Sequence, residues 1–186
     1  MARVPLLTPQ DVSEEHRALL EGMHARGGLI NLYRAMANSP VALQRVYELL
    51  VTLWYGALSG RLREIAILSV VSASDAPYPL AWHIIDGEDA GLTTHEIRAV
   101  VNGDAAGVLA PDEAAVAAFA RELTQQAQVS DATFNAVAAF MDEREIVELT
   151  LLAGLYRLVA ITANGLAVDI DDEAAKRLEQ FHSEQE

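Results

Sequence analysis

The sequence runs to 186 residues, 52% of them hydrophobic, enough for one domain with its own core. Its 13 Lys+Arg against 27 Asp+Glu leave a net charge of −14, so phosphate backbones and anionic membrane surfaces are repelled. The absence of cysteine excludes disulfides, thiol catalysis and thiolate metal sites.

Residues 1–13 read as an irregular arm interrupted by Pro5 and Pro9. Ser13 is an N-cap for a helix from Glu14 to Arg26, which Gly27-Gly28 stops. Asn31 to Ala37 is a short helix. Ser39-Pro40 opens the next, Val41 to Leu58, in which Leu43, Val46, Tyr47, Leu50 and Trp54 keep helical spacing. The run Ile65 to Val71 is rich in β-branched residues and suits a buried strand as well as a helix. No neighbouring segment offers a strand partner, so helix is the reading, with Glu64, Leu68 and Val71 on one face. Pro77 and Pro79 fall in or just before the first turn of the helix that ends at Gly91.

Thr93 and Glu96 make a capping box for Thr94 to Val101. Then come a helix from Asp112 to Gln128, one capped by Ser130 and reaching Phe140, and a long one capped by Asp142 and reaching about Asn164-Gly165. The tail, DIDDEAAKRLEQFHSEQE, is expected to be a solvated helix or partly disordered. The fold class is all-α, in a single domain over 1–186. No apolar run approaches the roughly 20 residues of a membrane span. MARVPLLTPQD lacks the apolar stretch of a signal peptide, and the cytoplasm is the expected location.

Glu64 and His83 stand 19 positions apart on two consecutive helices. A helical hairpin of that size brings the two side chains together, and a carboxylate meeting an imidazole in an apolar interior is suited to moving protons. The alternatives are that Glu64 pairs with Arg61 or Arg63 at the surface and that His83 is a hydrogen-bonded core histidine. Arg63-Glu64-Ile65 also has an echo in Arg144-Glu145-Ile146, and Asn164 stands 19 positions after Glu145. A duplicated helical unit that kept the Glu/His pair only in its first copy accounts for this, and so does chance. The five histidines, His16, His24, His83, His95 and His182, include no pair four residues apart, so no helical metal motif is present and no metal is expected. The four other than His83 lie among polar residues and are expected to be solvated.

REIAIL, then Y-x-x-x-W-H, then AGLTTHEI, then IVELTLLAGLYRLVAITANGLAVDID together resemble the carboxymuconolactone decarboxylase-like family, which includes alkylhydroperoxidase D. The resemblance covers about residues 30–172. It implies an all-α orthogonal bundle, often a homotrimer or a hexamer built from a repeated helical unit. In the peroxidase branch a Glu is followed by Cys-x-x-Cys and then a His at this same spacing. Glu64 and His83 match, but the cysteine positions fall on Ala76 and Pro79, which contradicts peroxidase and disulfide-reductase activity. The decarboxylase branch acts on a small carboxylated lactone without metal or organic cofactor. The resemblance therefore implies cofactor-independent acid–base chemistry on a small carbonyl or carboxylate compound: decarboxylation, isomerisation or lactone handling. The alternatives are a non-catalytic oligomeric binding or assembly protein and a peroxidase-related function.

The candidate catalytic residues are Glu64, His83 and Tyr78. The candidate substrate-binding residues are Trp82, Trp54 and Tyr55, with Arg34 to hold a carboxylate by a bidentate contact. Core packing is the alternative for the aromatics, and a helix-cap or ion-pair role for Arg34. Tyr156 and Asn164 are assigned to packing and helix-end hydrogen bonds. The apolar excess of the helices Val41–Leu58 and Glu145–Gly165 predicts a homo-oligomer, a trimer if the duplication is real and otherwise a dimer.

Overall fold

The computed structural model describes residues 1–25 and 28–183, and its regular elements are all helical: a short 3-10 turn and ten α-helices. These are α1 (Glu14–Ala25), α2 (Asn31–Met36), α3 (Pro40–Trp54), α4 (Gly60–Ala73), α5 (Pro77–Asp89), α6 (Thr94–Asn102), α7 (Pro111–Gln126), α8 (Asp131–Ala138), α9 (Glu143–Leu166) and α10 (Asp172–Ser183). The expected end of α1 at Arg26 and Gly27 lies outside the described residues.

Helix α4 is the centre. The Ser59 hydroxyl caps it, accepting from Leu62 N at 3.3 Å. Every residue from Glu64 to Val71 is buried, because α5, α6, α7 and α9 cover it on all sides. A strand in that position would need ladder partners for its N–H and C=O groups, and none is on hand; the helix satisfies them internally and leaves its β-branched side chains to pack. At its C-terminus Asp75 takes a left-handed φ of 47°, and Ala76 N reaches back to Val71 O at 3.1 Å. Pro77, at the first position of α5, then starts the return leg without forfeiting a hydrogen bond.

The other starts follow local chemistry. Thr93 with Glu96 closes the expected capping box of α6, and Asp142, the expected cap of α9, closes a second box with Glu145. Arg61, at the start of α4, ties it to two further helices by ion pairs of 2.5 Å to Glu96 and 2.5 Å to Glu113. At the amino end, Arg3 N donates to Leu166 O at 2.8 Å, which sets the arm against the end of α9.

Three expectations change. The charged tail is a docked helix: Ala174 and Phe181 of α10 are buried, Arg98 lies over the Phe181 ring at 4.5 Å, and Arg177 pairs with Glu88. Its four apolar residues, Ala174, Ala175, Leu178 and Phe181, were too few to register among eight charged or polar ones. The Glu145–Asn164 echo also stops at the sequence. Glu64 and His83 sit on the two legs of a hairpin, whereas Glu145 and Asn164 lie on one continuous helix, about 28 Å apart along its axis. Glu145 caps α9, and Asn164 donates to Asp75 O at 3.1 Å.

Helix α9 is 24 residues long and its most apolar 18-residue stretch has a mean hydropathy of 1.7, so by length and composition it could cross a membrane, contrary to the expectation. One side of it, including Leu149, Leu152, Tyr156 and Val159, is packed in the core against α3, α4, α5 and α7. On the opposite side Val147, Leu151, Leu158 and Ile161 are exposed.

Candidate functional site

The α4–α5 hairpin does what the spacing of 19 suggests: His83 Nδ1 lies 2.7 Å from Glu64 Oε2. Glu64 is 1% exposed and His83 6%. Arg63 Nε donates to the other Glu64 oxygen at 3.2 Å, while Arg63 Nη1 donates to Trp54 O at 2.9 Å and the guanidinium stacks 3.9 Å from the Trp54 ring centroid. Glu64 thus accepts on both oxygens. An acceptor facing Nδ1 fixes the neutral imidazole as the Nδ1–H tautomer and leaves the Nε2 lone pair for other work.

His83 is one wall of a cavity of about 330 Å³. Trp54, Tyr55 and Trp82 line it as expected, and Tyr55, 82% exposed, stands at its rim. Sequence reasoning missed Tyr33 and Tyr47, gave Tyr156 to packing and helix-end hydrogen bonds, and missed Asp86. Asp86 Oδ2 lies 3.6 Å from His83 Nδ1, three residues on along α5. That i, i+3 relation to a suspected catalytic histidine was the available signal. The edge of the His83 ring meets the Tyr156 ring at a centroid distance of 4.8 Å.

Two expected site residues are elsewhere. Arg34 donates to Leu6 O (3.1 Å), Leu7 O (3.4 Å) and Asn31 Oδ1 (3.0 Å); it fastens the amino-terminal arm and does not line the cavity. Its carboxylate-matching fork is used on backbone carbonyls. Tyr78 lines only a small adjoining space of about 40 Å³. Its hydroxyl donates to Asp171 at 2.5 Å and accepts from Leu32 N at 3.0 Å, so it braces the wall and makes no bond to Glu64 or His83. Trp82 Nε1 donates to the same Asp171 oxygen at 3.2 Å, and Asn31 N to the other at 3.0 Å.

Burial alone would lower the pKa of His83, but the charge and hydrogen bond of Glu64, with Asp86 beside it, outweigh that and raise it above 6.5. Burial raises Asp86 above 3.8, with Glu64 and Asp89 adding to the shift and His83 opposing it. Burial first, then neighbouring groups that include Asp86, pushes the Tyr33 and Tyr156 hydroxyls up, so both stay protonated. A group whose folded pKa is raised favours the folded state fully below its unfolded pKa, and that favour is lost as pH rises through the folded value. The gap in melting temperature between the unaltered protein and His83→Gln is therefore expected to be widest below pH 6.5 and to narrow at higher pH. A gap that widens with pH contradicts the assignment.

Glu64, His83 and Asp86 each offer one ligand atom within 4.8 Å of the others, a spacing at which they could hold a metal ion. An ion there would have to displace the Nδ1 proton and compete with Arg63 for Glu64.

Residues 40–122, which carry this hairpin, match the carboxymuconolactone decarboxylase family model. No curated protein matches the sequence. Among solved structures, an uncharacterised peroxidase-related protein with an alkylhydroperoxidase AhpD core from Ralstonia eutropha JMP134 is similar at 18% identity and TM-score 0.76, over 93% of this chain and 94% of that one. A peroxidase-related protein from Silicibacter sp. TM1040 is similar at 17% identity and TM-score 0.78, over 95% of both chains. A cysteine-to-alanine variant of the debrominase Bmp8, bound to 2,3,4-tribromopyrrole, is similar at 16% identity and TM-score 0.77, over 97% of this chain and 100% of that one. The fold is thus AhpD-like, and the segment that matches the family model contributes the Glu64–His83 pair to it.

Proposed function

We propose that this protein carries out cofactor-independent acid–base chemistry on a small molecule held in the aromatic cavity, with Glu64 and His83 as a proton relay. The observation that carries this reading is the 2.7 Å bond between Glu64 and a histidine in the cavity wall. His83 Nε2 takes a proton from the substrate, the imidazolium so formed is held by Glu64, and the proton returns to another substrate atom or to water. Its raised pKa makes neutral His83 a stronger base than free imidazole. An open cavity at the pair favours an enzyme over a non-catalytic assembly protein, whose core would be filled there. The bound tribromopyrrole of an AhpD-like neighbour supports a small-molecule occupant in this fold. With no cysteine the chain has no route to a sulfenic acid or disulfide, so thiol peroxidase chemistry is set aside.

The test is proton exchange. A panel of small carbonyl compounds incubated with the protein in D2O is expected to include one that gains deuterium at a carbon next to the carbonyl, followed by NMR. Glu64→Gln and His83→Gln are each expected to slow that exchange by about 10²–10⁴-fold. Their combination is expected to cost little more, because the two act as a unit. Full exchange by Glu64→Gln rejects the relay.

A further inference from the structure

The chain contains five Tyr and two Trp, and all seven border one region. Tyr33, Tyr47, Tyr55, Tyr156, Trp54 and Trp82 line the main cavity, and Tyr78 lines the small space beside it. The phenylalanines are distributed differently: Phe119 and Phe181 are in the core, and Phe134 and Phe140 are exposed on the outside. Hydrophobic packing alone does not separate Phe from Tyr and Trp in this way. The cavity has collected the rings with a polar tip, and with them the electron-rich Trp rings that attract a cation most strongly, one of which, Trp54, already holds the Arg63 guanidinium against one face.

The charges agree. Among the described residues no Lys or Arg lines the cavity, while the Asp86 carboxylate does. Its one ion pair among those residues is the long contact of 3.6 Å to His83 Nδ1, a nitrogen already bonded to Glu64 at 2.7 Å. The nearby guanidinium of Arg63 is committed to Glu64 and to the Trp54 carbonyl. Among the described residues Asp86 is therefore a half-buried carboxylate whose one basic partner, His83, is shared with Glu64, and it faces a space walled by π-faces. Among the described residues, a carboxylate-bearing occupant would meet Asp86 and the negative ring faces with no Lys or Arg in the cavity lining to hold it. A positively charged occupant would supply what Asp86 lacks.

We infer that the cavity takes an organic cation, an amine or quaternary ammonium on a small apolar body, with its charge shared between Asp86 and the surrounding Tyr and Trp faces. This rests on the reading of the cavity as the functional site and narrows its substrate from carbonyl or carboxylate compounds to those bearing a positive charge.

Both tryptophans of the chain, Trp54 and Trp82, line the cavity, so intrinsic fluorescence reports its occupancy directly. The unaltered protein is titrated at constant ionic strength with benzyltrimethylammonium, benzyl alcohol and benzoate. The cation is expected to bind at least about tenfold more tightly than the neutral alcohol, and benzoate more weakly than either. Asp86→Asn is expected to collapse the preference for the cation toward unity. The ranking in the unaltered protein carries the test even where Asp86→Asn folds poorly. Benzoate binding as well as the cation, or a cation no tighter than the alcohol, overturns the inference and leaves the site reading in place. A protein that binds none of the three, with fluorescence unchanged throughout, overturns both.

Discussion

Glu64→Ala is expected to lower the free energy of unfolding by about 3–5 kcal/mol. Glu64 is 1% exposed, and its two oxygens hold a buried imidazole and a guanidinium that is itself largely buried. Truncation leaves both donors facing an apolar hole, so the cost combines lost packing with two unsatisfied polar groups. Glu64→Gln keeps the volume and one acceptor and is expected to lose less. A double-mutant cycle of Glu64→Gln with His83→Gln is expected to give a coupling energy of about 0.5–3 kcal/mol. Urea unfolding followed by far-UV circular dichroism measures all of these. A loss below about 1 kcal/mol for Glu64→Ala would mean that the pair is not holding the hairpin together.

Replacing Leu151 and Leu158 together by glutamate is expected to convert a homo-oligomer into a monomer. We propose that oligomer from the outer face of α9, where Val147, Leu151, Leu158 and Ile161 are exposed. With Gly154 between them the positions advance by four, three, four and three, the spacing of a helix–helix seam. A Cβ added to Gly154 would meet nothing within 4 Å, so the backbone is open to close approach there. Burying a leucine is worth about 1.5–3 kcal/mol, and the two substitutions replace that gain with a charge in a net −14 chain. Static light scattering after size exclusion is the measurement. A monomeric unaltered protein at micromolar concentration would sink the proposal.

The parts of this molecule that were legible in its sequence are those governed by local chemistry. Thr93 with Glu96 and Asp142 with Glu145 mark helix starts because a cap needs only residues three positions apart. The Glu64–His83 contact was legible because two short helices and a tight turn fix where position 83 returns. The same locality misled at Arg144-Glu145-Ile146: a shared opening reports a helix start, not a second hairpin. The rest of the cavity wall, beyond Trp54, Tyr55, Trp82 and His83, was not legible. Tyr33, Tyr47 and Tyr156 come from α2, α3 and α9, and only the packing of three distant segments brings their rings to one place. Arg34 was misplaced for a related reason, since nothing local says that Leu6 and Leu7 return to its side chain.

Asp171 ties together elements made at very different times. Its carboxylate holds Asn31 at the start of α2 and Tyr78 and Trp82 on α5, while Leu166, five residues earlier, holds Arg3. A chain emerging from the ribosome presents residues 1–82 well before residue 171 exists. The helical hairpin of α4 and α5 needs only near neighbours and has time to form first. The brace behind Tyr78 and Trp82 closes across separations of 93 and 89 residues. During synthesis the aromatic wall is therefore among the last parts to be fastened, and an unfinished chain carries its Glu64–His83 pair before the chamber beside it is finished.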